Sequence, residues 1–220
     1  MDTVVRWARG EDGGPMWERY LQEGFAVVVA DYRGGYRPGS GDEPTSEDAV
    51  TRYDDGVSVV DHVRELPYVD PDRIAVYGGS LGGDLVLHVI GRTKVQAAGV
   101  GAPAAFWFLG VDRAVGDRSQ PDYWQKAKPN REQARKRIAA ISCPLLIQVG
   151  GADGLVPLSR WVHDLMEEAG KPVRLEIYAN SPHGFYFNPL RTPPPRPLLD
   201  SSVAALDSSV AFMKRHTGAH

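Results

Sequence analysis

Apolar residues fall into short unbroken runs, separated by longer stretches in which apolar and polar positions recur at helical spacing. The runs are Thr3 to Arg9, Phe25 to Asp31, Arg73 to Gly79, Val95 to Ala102, Pro144 to Gly151 and Val173 to Asn180. Unbroken rather than alternating hydrophobicity marks strands buried on both faces, as in a parallel sheet covered by helices. Three intervening stretches read as helices. The one from Ser46 to Leu66 opens on an N-cap serine followed by acids, and the one from Leu158 stops at Gly170, a good C-cap. The third, from Ser201, carries basic residues in its last turn, where the helix dipole favours them. Strand alternating with helix predicts an α/β fold with a doubly wound, mostly parallel sheet of about six strands.

Two segments depart from this alternation. Residues 103–142 hold Trp107, Trp124 and several other aromatics, and read either as an aromatic-packed crossover or as a short lid over a pocket. Arg191 to Leu199, "RTPPPRPLL", is too rich in proline for helix or strand and reads as a stiff loop into the final helix. No internal repeat or second domain is visible, so residues 1–220 read as one domain.

Composition narrows the function classes. A net charge of -3 and a pI near 6.1 leave no basic excess to displace counterions, which argues against nucleic acid as a partner. The densest basic run, Arg131 to Arg137, contains Glu132 and reads as a solvated helix face. No apolar run approaches the ~18 residues that span a bilayer, and no signal-peptide pattern opens the chain. No membrane association and a cytoplasmic location are therefore expected. Cys143 is the only cysteine and reads as a buried structural thiol.

One turn carries chemistry. Gly78-Gly79-Ser80-Leu81-Gly82 fits G-x-S-x-G, a turn so tight that the serine is strained and its neighbours two residues away must lack side chains. It follows a strand and precedes a helix, as the motif requires. A phosphate-binding glycine turn would want other spacing and a Lys-Ser/Thr pair, which is absent. A serine hydroxyl needs a base, and the base an orienting acid, in chain order Ser, Asp or Glu, His. His62, His88 and His163 fall in predicted helices, and His216 and His220 lie in the C-terminal tail. Only His183 sits in a loop just after a strand, and Asp153 lies just past the preceding one. Ser80, Asp153 and His183 thus come from successive loops at one end of the sheet. No His/Asp/Cys group has metal-ligand spacing, so neither metal nor cofactor is expected.

The stretches "DYRGG" at Asp31, "GGSLGG" at Gly78, "GGADGLVP" at Gly150 and "SPHGF" at Ser181 resemble the α/β-hydrolase fold. More narrowly, they resemble the catalytic domain of the prolyl oligopeptidase family and its dienelactone-hydrolase-like relatives, from about Gly24 onward. The resemblance implies Ser80 as nucleophile, Asp153 as acid and His183 as base. It also implies an oxyanion hole built from Leu81 N–H and a second donor at Gly14 or Gly13. The family's His-Gly-Gly-Pro-type loop has its nearest match in "DGGP", Asp12 to Pro15, with Asp in place of His.

The function expected is hydrolysis of a small ester or short peptide through an acyl-enzyme. The alternative is a catalytically weak or inactive binding protein on the same fold, motivated by the altered loop at Asp12. The resembled fold also has two strands before the position of Thr3, beside the strand matching Phe25 to Asp31. Their absence here would leave Val27 to Ala30 as an open edge that invites a homo-oligomer, or that a longer form of the chain covers.

Overall fold

The structure, a computed structural model, describes residues 14–30, 32, 46–111, 128–186 and 196–218. Four of the apolar runs form strands: β1 (Ala75–Gly79), β2 (Ala97–Gly101), β3 (Leu145–Gly150) and β4 (Val173–Tyr178). They pair in parallel in the order β1-β2-β3-β4. Every residue of β2 and β3 is buried, as continuous apolarity requires of central strands. The register levels the strand ends, with Gly79 opposite Gly101, Gly101 opposite Gln148, and Gly150 opposite Tyr178. Whatever follows β1, β3 and β4 therefore emerges at one rim.

Helices cover both faces. α2 (Ser46–Arg64), α3 (Leu81–Val89), α4 (Arg131–Ala140) and α5 (Val156–Glu168) lie on one side, where Leu87, Ile90, Ile138, Leu158 and Leu165 meet Ala98, Val100, Leu145 and Ile147. On the other side α1 (Gly14–Gln22) and α6 (Arg196–Thr217) place Met16, Tyr20, Val210 and Met213 against Ala97 and Tyr77. Each fully buried aliphatic side chain here contributes roughly 1.5–3 kcal/mol. The helix expected from Leu158 begins at Val156 with Pro157 in its first turn, and stops before Gly170, whose φ of 65° closes the C-cap.

The described residues contribute four strands to the sheet. Thr3 to Arg9 lies outside those residues, and among the described residues Phe25 to Ala30 has no ladder partner. Its side chains alternate between half-buried and exposed, and Val28 is 49% exposed. A cavity of about 500 Å³ is lined by Phe25 and Val27 on one side and by Val76 and Tyr77 of β1 on the other. Among the described residues the outer strands of the sheet are β1 and β4. One expectation is corrected: α6 begins at Arg196, inside the stretch expected to be a proline-stiffened loop. Pro197 occupies its first turn, where a missing N–H forfeits no helical bond.

Of residues 103–111, Ala105, Phe108, Leu109 and Val111 are buried in the core. Trp124 lies outside the described residues. Among the described residues no helix is long and apolar enough to cross a membrane.

Candidate active site

Ser80 sits between the last residue of β1 and the first of α3, with φ 51° and ψ -117°. A non-glycine residue in that region is strained by roughly 1–3 kcal/mol and persists only when its surroundings over-determine it. Here they do. Ser80 N–H donates to Gly101 O at 2.8 Å, and Ser80 O accepts from Gly83 (3.0 Å), Asp84 (3.3 Å) and Ala104 (2.9 Å). Gly78 is dictated by close approach, because a Cβ there would lie 2.2 Å from Gly82 O. Gly82 differs from the sequence expectation: a Cβ there would meet nothing within 4 Å. The motif's first glycine is a steric necessity in this elbow, and its last is not.

The bonds returning to Ser80 O come from Gly83 and Asp84, so Leu81 N–H precedes the helical ladder at the start of α3. Gly14 is the first residue of α1, while Asp12 and Gly13 lie outside the described residues.

Asp153 follows β3 in a tight turn. Its side chain is nearly sealed from water; Oδ1 accepts from Leu155 N–H at 2.9 Å, and Oδ2 faces His183 Nδ1 at 2.8 Å. His183 follows β4 and remains half-exposed. Its bond to the Asp153 carboxylate raises the imidazole above its ordinary pKa, against burial, which lowers it. The structure thus brings Asp153 and His183 into direct contact. Ser80 shares their rim, but among the described residues no hydrogen bond joins its Oγ to His183. In unliganded sites such bonds are often long and tighten when substrate binds. The large cavity beside β1 reaches Gly78 and Gly82, yet Ser80, Asp153 and His183 do not line it.

Sequence reasoning missed a buried polar anchor behind the elbow. Asp84, 1% exposed, accepts from Tyr53 OH at 2.8 Å and from Phe108 N–H at 3.0 Å, tying α3 to α2 and to the crossover after β2. Burial raises its pKa to about 7. His88, stacked on Tyr53 at 3.7 Å, is pushed down to about 3 by burial. Arg137 donates to Phe108 O at 2.7 Å and also to Trp107 O. An acid within the otherwise apolar run of α3 was the available signal. Among the described residues, His163, Asp164 and Glu167 could converge on a metal ion, but both acids are exposed on one helix surface.

A nucleophile-type elbow and a carboxylate–imidazole pair at the carboxyl rim of a parallel sheet define the α/β-hydrolase class. Solved structures agree. Carboxyl esterase 2 of Tuber melanosporum superposes with a TM-score of 0.65 at 16% identity, over 94% of this chain and 73% of that one. An α/β-hydrolase enzyme from a Medee basin deep-sea metagenome library does so with a TM-score of 0.61 at 22% identity, over 94% and 78%. At such identities the likeness is one of fold. The family is shown by sequence: the chain belongs to the prolyl oligopeptidase family, whose model matches residues 16–192. It is 27% identical over 180 residues to the acylamino-acid-releasing enzyme of Arabidopsis thaliana, covering 73% of this chain and 24% of that enzyme. The chain thus spans about a quarter of that curated relative.

Proposed function

We propose that the protein is a serine hydrolase that cleaves small esters or short peptides through an acyl-enzyme. The observation that carries this reading is the 2.8 Å Asp153–His183 bond on the rim that also holds the strained Ser80. Family membership and the relative named as an acylamino-acid-releasing enzyme support acyl transfer as the reaction class.

In the proposed cycle Ser80 Oγ attacks the substrate carbonyl carbon and its proton passes to His183 Nε2. Asp153 fixes the other ring nitrogen as the N–H tautomer and stabilises the imidazolium. Leu81 N–H, with Gly14 as the proposed second donor, receives the developing oxyanion. The leaving alcohol or amine takes the proton from His183, leaving Ser80 acylated. Water then attacks the ester while His183 accepts its proton; collapse releases the carboxylic acid, and the proton returns to Ser80. Every step is a proton or acyl transfer between named groups and water. The half-exposed His183 suits a site open to small substrates.

Hydrolysis of p-nitrophenyl butyrate and of N-acetyl-alanine p-nitroanilide by the wild type and by Ser80→Ala tests the proposal. Turnover of at least one substrate by the wild type, with loss of nearly all of it in Ser80→Ala, is expected. Equal turnover by both proteins would overturn it.

A further inference from the structure

The loop that carries His183 continues into Gly184, Phe185 and Tyr186, and the last of these does something the reaction cycle does not yet use. Tyr186 is 4% exposed, and its hydroxyl donates to Gly101 O at 2.6 Å. The same carbonyl accepts Ser80 N–H at 2.8 Å. One oxygen at the end of β2 therefore receives both the backbone of the elbow and the side chain of the His183 loop. A carbonyl has two lone pairs, so both bonds form without competition.

We propose that Tyr186 is a positioning residue that sets the distance between His183 and Ser80 by anchoring the histidine loop to the carbonyl that holds the elbow. This rests on the assignment of Ser80 and His183 as nucleophile and base.

Three further observations fit. First, β2 is cut to accommodate the ring: a Cβ on Gly101 would lie 2.4 Å from two ring atoms of Tyr186. The phenol thus lies flat on the strand end, and the glycine there admits a ring, not a turn. Second, the phenol is held protonated, since burial and the Asp153 charge both raise its pKa, so it remains a donor across the working range. Third, the rest of the loop is fixed at its own end, with Phe185 O accepting from Ser202 Oγ of α6 at 2.7 Å and Phe185 meeting Tyr186 edge-on. The loop is thus anchored to α6 at Phe185 and to the elbow at Tyr186. The anchor at Tyr186 joins the loop to the carbonyl that also holds Ser80. Acyl transfer is sensitive to the alignment of nucleophile and base, and small misplacements cost large factors in rate.

Tyr186→Phe removes one oxygen and keeps the ring on Gly101. Tyr20→Phe is the matched control: it removes a buried hydroxyl bonded to Ser209 Oγ at 3.0 Å in the α1–α6 packing, which makes no hydrogen bond to Ser80, Asp153 or His183 among the described residues. Each protein is assayed for thermal midpoint, for kcat and KM on p-nitrophenyl butyrate, and for the second-order rate of fluorophosphonate labelling. With similar losses of thermal midpoint in the two variants, Tyr186→Phe should lose roughly tenfold in kcat and in labelling rate with KM within about twofold. Tyr20→Phe should retain wild-type rates. Wild-type labelling and kcat in Tyr186→Phe would overturn the positioning role, as would an equal loss in both variants. Ser80→Ala and His183→Ala run alongside separate the two levels. If either keeps wild-type labelling, the nucleophile–base assignment itself fails; if both lose it while Tyr186→Phe does not, only the positioning role fails.

Discussion

Replacing Asp153 by Asn changes one carboxylate oxygen to an amide nitrogen at nearly constant volume. The two oxygens now serve two donors, Leu155 N–H at 2.9 Å and the Nδ1 side of His183 at 2.8 Å. Asn has one acceptor, so it can satisfy only one of them. If its oxygen keeps His183, the amide NH2 opposes Leu155 N–H and strands a buried donor, at roughly 1–3 kcal/mol. If its oxygen keeps Leu155, the NH2 faces Nδ1, which then becomes an acceptor and moves the ring proton to Nε2. That orientation leaves every group bonded and is preferred by about the same 1–3 kcal/mol. It is also the orientation that disables the base, because Nε2 now presents a proton to Ser80. The expected loss in kcat/KM is roughly 10⁴-fold, about 5 kcal/mol in the barrier, with a thermal midpoint close to wild type. Steady-state ester hydrolysis with differential scanning calorimetry reads both quantities. An Asp153→Asn variant within tenfold of wild-type activity would refute the role assigned to Asp153. So would a large activity loss matched by an equally large loss of stability.

Other consequences follow from the same geometry. Because the base must be neutral and the Asp153 bond raises the His183 pKa, kcat/KM should be lost below an inflection lying above the ordinary histidine value of about 6.5. A flat profile between about pH 5 and 9 contradicts His183 as base where chemistry limits the rate. Ser80→Gly should melt higher than Ser80→Ala, because glycine accepts φ 51° while alanine keeps strain of roughly 1–3 kcal/mol; equal midpoints would show that the elbow is unstrained. Gly78→Ala should fold poorly or lose activity, since its Cβ meets backbone at 2.2 Å, whereas Gly82→Ala should fold like wild type. Similar stability of the two alanine variants would contradict that contrast.

The central strands were legible because a strand buried on both faces has no polar positions to spare, and β2 and β3 are buried throughout. The loops bearing Ser80, Asp153 and His183 were legible from chain order and from their places just after strands. The setting of Phe25 to Ala30 was less so: among the described residues it has no ladder partner, and its side chains alternate between half-buried and exposed, which an unbroken apolar run does not announce. The start of α6 was hidden by prolines whose effect depends on position: harmful in a helix interior, harmless in its first turn. Gly82 looked obligatory because the motif is symmetric, while the contacts around it are not. Tyr186 was hidden for a different reason. Its partner is a backbone carbonyl 85 residues away in the chain, and no side-chain pattern announces such a bond.

The central claim is that Ser80 is the nucleophile of an acyl-transfer site, and mapping the adduct of a fluorophosphonate probe on the intact protein tests it most directly. Peptide mass spectrometry should find a single phosphonylated residue, Ser80, with labelling slowed at low pH in step with protonation of His183. An unlabelled protein, or an adduct carried by any other residue, would contradict the account.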